Sequence, residues 1–113
     1  MFKTIIATTC LGLGLVSSSA WADGDAKAGA QKIKSLQCQQ CHGRDGLSKL
    51  PGAPNLAGQV QDYVVAALND YRSGARKNDM MSLVAEKLTD ADIADLSAYY
   101  SGIEINVTPP PKP

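Results

Sequence analysis

Cys38-Gln39-Gln40-Cys41-His42 is the stretch that decides how this chain folds. Two residues between the cysteines put both sulfurs on one helical turn, where each can form a thioether with a vinyl group of one porphyrin. The adjacent His42 then aims its imidazole at the iron as the proximal ligand. Other uses of a cysteine pair fit less well. A thioredoxin-like redox pair follows a strand in an alternating strand–helix pattern, and no such pattern precedes Cys38. A four-ligand zinc site needs a further Cys or His. His42 is the only histidine, and the third cysteine, Cys10, falls in a segment of another kind.

That segment reads as a secretory signal over residues 1–22. Lys3 and the amino terminus give a positive start, and an apolar run from Ile5 to Val16 is broken only by Thr8, Thr9, Gly12 and Gly14. Ala20-Trp21-Ala22 supplies a small-residue cleavage site. The run is too short to span a bilayer, which takes roughly twenty apolar residues. Cys10 lies inside it rather than at the cleavage point, which sets aside a lipoprotein.

Cleavage after Ala22 takes the 113 residues down by 22 to 91, with Cys38 and Cys41 as the remaining cysteines. Phe2 and Trp21 leave as well, so Tyr63, Tyr71, Tyr99 and Tyr100 are the only aromatic residues left. So few rings are a poor basis for the core of a small domain, and one close Cys pair is no disulfide framework. A covalently held porphyrin supplies the missing apolar disc. Eleven basic residues balance eleven acidic ones, which argues against a nucleic-acid surface.

With a single histidine, bis-histidine ligation within one chain is impossible. The second axial ligand is Met80, Met81, a less usual group such as Lys, or none. A neutral, soft thioether favours ferrous iron and suits a carrier. Helical periodicity surrounds these positions. Ala26, Gly29, Ala30, Ile33 and Leu36 predict a first helix, capped by Asp23 or Asp25, with Gly29 at a close helix contact. Residues 43–58 read as loop. Val60, Val64, Ala67, Leu68 and Tyr71 predict a second helix ending near Ser73-Gly74. Lys77 to Ser82 reads as a polar loop, with a short turn through Ser82 to Lys87. Thr89 caps a last helix carrying Ile93, Leu96, Tyr100 and Ile103, with Gly102 at its end. The fold class is all-α, three main helices and short turns wrapped around one haem. The proline-rich residues 106–113 read as a flexible tail after a domain over residues 23–105.

The pattern resembles the class I c-type cytochromes, above all the short c-553 kind and one half of the dihaem periplasmic cytochromes. It rests on Cys38 to His42, Pro54-Asn55-Leu56-Ala57-Gly58-Gln59, Lys77-Asn78-Asp79-Met80-Met81 and Leu88-Thr89-Asp90-Ala91-Asp92-Ile93, supported by Tyr71-Arg72-Ser73-Gly74 and Ala98-Tyr99-Tyr100. In that family the ligand methionine stands eight positions before the Ser or Thr that caps the last helix, which implies Met81 over Met80. The resemblance also implies that the Pro54 carbonyl accepts a bond from the second ring nitrogen of His42, and that Gly29 meets Tyr99 or Tyr100. Ile33 stands where the family has Phe or Tyr, implying a looser contact there.

The function implied is one-electron transfer by a monohaem carrier with one covalent haem c, exported to a bacterial periplasm. It is expected to be a monomer, not itself an enzyme, meeting redox protein partners and having no nucleic-acid partner and no membrane span once mature. Two other functions fit the same residues: the haem subunit of a larger oxidoreductase, for example one oxidising sulfide or thiosulfate, and a gas-binding sensor with an open distal site. Arg44, Lys49, Arg72, Arg76 and Lys77 are candidates to neutralise haem propionates or to dock a partner, although exposed charges are more often simply solvated.

Overall fold

The computed structural model describes residues 23–113, so the signal segment and Cys10 lie outside the described residues. Of the two candidate caps, Asp25 starts the first helix: its carboxylate accepts from the Lys27 amide at 2.8 Å. Helix α1 then runs over Ala26–Ser35. Gln37 adopts a left-handed conformation (φ 61°), costly for a non-glycine residue, and turns the chain into α2, Cys38–His42. After a long loop come α3, Gln61–Ser73, and α4, Asp79–Ala85, followed by α5, Asp90–Ser101. All regular structure among the described residues is helical, as the periodicity predicts.

The fourth helix departs from the sequence expectation. Asp79, Met80 and Met81 form its first turn rather than a loop, because the Asn78 side chain accepts from the amides of both Met80 and Met81 at 3.0 Å. At α5, Thr89 and Asp92 form a reciprocal capping box. Residues 104–113 have no regular structure and are exposed, Ile105 among them although its side chain approaches Gly58.

The architecture is organised by the crossing of α1 and α5. A Cβ on Gly29 would lie 2.2 Å from the Asp95 carbonyl oxygen and 2.7 Å from the Tyr99 Cβ, so only glycine permits this approach. Ile33, one turn on, is completely buried with Ala85, Leu88, Ile93, Leu96 and Tyr100. Ser97 is also buried at this level, and its hydroxyl has no partner.

Polar groups lock the same crossing. Lys32 reaches Asp95 at 2.7 Å and Asp92 at 2.9 Å, and the Asp25 amide donates to Asp95 at 2.8 Å. The hydrogen bond from Lys32, then that from the Asp25 amide, holds the Asp95 carboxyl below the usual range. Burial opposes the same shift at Asp92, but the bonds from Lys32 and Thr89 outweigh it. Lys32 in turn is raised, first by Asp95 and then by Asp92.

Two predictions follow from this crossing. Gly29→Ala should destabilise the haem-loaded protein by about 2–3 kcal/mol in guanidinium unfolding, despite a gain in helix propensity of about 1 kcal/mol, because the methyl meets backbone. Unchanged or raised stability would contradict the crossing. The carboxylates stabilise the fold above their unfolded pKa of about 3.9, and this is lost as pH falls through their lower folded values. The Lys32 contribution is complete below its unfolded value of 10.5 and is lost as pH rises through the higher folded one. The stability deficit of Lys32→Met should thus be flat between about pH 5 and 9 and shrink at both ends.

Candidate haem site

His42 closes the short helix α2 and is 8% exposed. Its Nδ1 lies 2.9 Å from the Pro54 carbonyl oxygen. A carbonyl can only accept, so Nδ1 carries the proton and the Nε2 lone pair is left free to bind a metal. The contact spans twelve residues and depends on a loop that returns. Gly46 turns that loop: its carbonyl accepts from the amides of Leu56 and Ala57 at 2.7 and 3.0 Å, while Asn55 accepts from the Ser48 amide at 2.7 Å.

Helix α5 holds the other side of His42. Tyr100 donates its hydroxyl to the Gly43 carbonyl at 3.1 Å, and Tyr99 donates to the Arg44 carbonyl at 2.6 Å. The Tyr100 carbonyl accepts from the Gly58 amide at 3.0 Å, just beyond Pro54. Burial pushes the Tyr100 phenol far above its ordinary pKa, so it remains a neutral donor. The two rings meet edge to face, with centroids 5.2 Å apart. Their periodicity places both tyrosines on the last helix, but only the packed structure shows what their hydroxyls hold.

His42, Cys38 and Pro54 open onto an apolar cleft. Val64, Ala67 and Leu68 of α3 line it, as do Leu88 and Leu96 from the opposite side, and Tyr63 and Tyr71 stand on the same walls. Met81 lines the cleft as well, whereas Met80 is 62% exposed and does not. The N-cap that starts α4 at Asp79 sets this difference by fixing which methionine faces inward. Cys41 is half-buried in the same turn as Cys38 but is not part of the cleft wall. Burial raises the Cys38 thiol to about 11.

The residues suit a haem: an apolar slot, a histidine of set tautomer, a thioether donor and two free thiols spaced for two vinyl groups. Asn78 and Tyr100 were not among the site residues expected from the sequence. An Asn just before Asp-Met-Met is a capping signal, whereas nothing local marks the partner of the Tyr100 hydroxyl.

Comparison with known proteins agrees with this geometry. The family profile described as Cytochrome c matches residues 26–102. Cytochrome c-554(548) of Halomonas halodenitrificans is 45% identical over 84 residues, covering 72% of this chain and 99% of that protein. The thiosulfate dehydrogenase electron acceptor of Thiomonas intermedia is 31% identical over 113 residues, covering 98% of this chain and 49% of that protein. The crystal structure of reduced recombinant cytochrome c4 from Pseudomonas stutzeri superposes with a TM-score of 0.64 at 36% identity, covering 70% of this chain and 48% of that one. The chain thus spans nearly all of the first relative and about half the length of the other two.

The cleft shares Leu88, Leu96 and Tyr100 with the small buried core around Ile33 and Ile93, so that core is complete only when the cleft is filled. Chain lacking haem should therefore show little cooperative unfolding by circular dichroism. A compact haem-free form with a sharp transition would overturn this account.

Proposed function

The chain belongs to the cytochrome c family, and from that premise we propose that it is a one-electron carrier whose iron is held by His42 and Met81. It carries one haem c, attached covalently through the Cys38-x-x-Cys41-His42 motif. The observation that carries the ligand assignment is the convergence of three segments on one apolar cleft: Cys38 and His42 from α2, Pro54 from the loop after it and Met81 from α4.

Bound haem supplies the ferric–ferrous change; the chain supplies its setting. The Pro54 carbonyl keeps the His42 proton on Nδ1 and makes Nε2 the better donor. Tyr100 and Tyr99 hold the residues after His42 in place, so the imidazole need not move when charge changes. Leu56, Val64, Leu68, Leu88 and Leu96 exclude water around the ligand atoms. Met81 offers a neutral thioether, which favours the ferrous form and raises the potential. No acid–base pair converging on a substrate is needed, and the protein is read as a carrier rather than an enzyme.

Export to a periplasm after cleavage at Ala22, a domain over residues 23–105 and action as a monomer belong to the same reading. The leader-like residues 1–22 support export, and none of the described helices is long and apolar enough to cross a membrane. The Thiomonas relative favours a second reading, in which the electrons come from a thiosulfate-oxidising enzyme. An open gas-binding site fits less well, because Met81 stands within the cleft.

The ligand assignment is tested by the weak long-wavelength band that a ferric iron–thioether bond gives. Met81→Ala should abolish the band and lower the reduction potential, while Met80→Ala should keep both. The reverse pattern would overturn the assignment.

A further inference from the structure

The sequence offers five cations near the haem motif or the methionines, and the structure separates them. Arg72 is committed to Asp90, to the Leu88 carbonyl at 3.0 Å and to Asn69 at 2.7 Å. Lys49 pairs with Asp45 at 3.3 Å, and with Arg44 it lines a surface recess beside Tyr99 instead of the cleft. Lys77 is exposed and is not part of the cleft wall. Arg76 alone of the five lines the cleft.

Its setting is built rather than incidental. The Arg76 amide donates to the Asp70 carbonyl at 3.0 Å, which anchors the turn after α3. Its guanidinium lies 4.8 Å from the Tyr71 ring centroid, and Nη1 donates to the Tyr63 hydroxyl at 3.4 Å. Both tyrosines line the same cleft. Stacking on one ring and contact with the other restrict the side chain and leave most of its five N–H donors free. No carboxylate of the described residues is paired with it. The Tyr63 hydroxyl, followed by the charge of Tyr71, raises its already high pKa, so it is a permanent cation.

We propose that Arg76, steadied by Tyr63 and Tyr71, binds a propionate carboxylate of the haem at the mouth of the cleft and thereby raises the reduction potential. A haem set in this apolar slot brings two carboxylates that need partners, and Arg76 is the unpaired cation on its wall. A guanidinium fork suits a carboxylate and shields its negative charge from the iron. Without that shielding the ferric form is favoured. The proposal rests on the cleft being the haem site, which the methionine variants test independently.

The test uses haem-loaded Arg76→Leu and Arg76→Lys proteins, each first checked for the ferric thioether band so that an intact site is known. Against a fixed redox couple, Arg76→Leu should reduce the ferrous-to-ferric ratio roughly three- to tenfold, tenfold being about 59 mV for one electron. It should also move the propionate bending band in resonance Raman spectra, which senses a hydrogen bond to the carboxylate. Arg76→Lys should restore most of the ratio. With the thioether band intact, an unchanged ratio and Raman band in Arg76→Leu would overturn the proposal. So would a Lys variant as impaired as the Leu one. Salt-dependent slowing of electron exchange with an acidic partner, at unchanged potential, would make Arg76 a docking residue and also overturn it.

Discussion

The close crossing of α1 and α5 is the constraint on which the rest of the structure depends. It is possible because residue 29 has no side chain and the Asp95 carbonyl occupies the space a Cβ would need. Once α5 lies there, its next turn fixes the site. Tyr99 and Tyr100 hold the two carbonyls that follow His42, and the Tyr100 carbonyl holds Gly58. The loop between those anchors delivers Pro54 to the imidazole. A packing contact between terminal helices is thereby converted, through four hydrogen bonds, into the tautomer of a single histidine.

The scarcity of aromatic residues takes on a positional meaning. Of the four tyrosines, Tyr63, Tyr71 and Tyr100 line the cleft, and Tyr99 stands at the helix crossing. Three of the four thus border the site, while Tyr99 packs against the core at the crossing. Each also has its hydroxyl or ring in a polar contact, with Gly43, Arg44 or Arg76. Rings with a polar end suit a slot that is apolar within and wet at its mouth. Haem completes the apolar interior, and the tyrosines mark its boundary.

Much of this was legible in local sequence. Cys38, Cys41 and His42 announce their chemistry by spacing, and the periods of three and four locate α1, α3 and α5. Thr89 and Asp92 announce the start of α5. The start of α4 was misplaced because the polar run Lys77-Asn78-Asp79 resembles a loop until Asn78 is recognised as a cap. That small error matters, since the cap determines which of two adjacent methionines faces the cleft. The complete burial of Ile33 depends on how closely the backbones approach, which Gly29 decides.

By itself the sequence determined the kind of chemistry: one histidine, two thiols at thioether spacing, methionines as the soft donors at hand, and helices to carry them. These are properties of residue type and of separations within a turn or two. Only the tertiary structure decided that Arg76 rather than Arg72 or Lys49 is the cation on the cleft wall, and that Tyr100 secures Gly43. Those outcomes join residues up to 57 positions apart. They follow from where packed helices place each backbone, which no local spacing encodes.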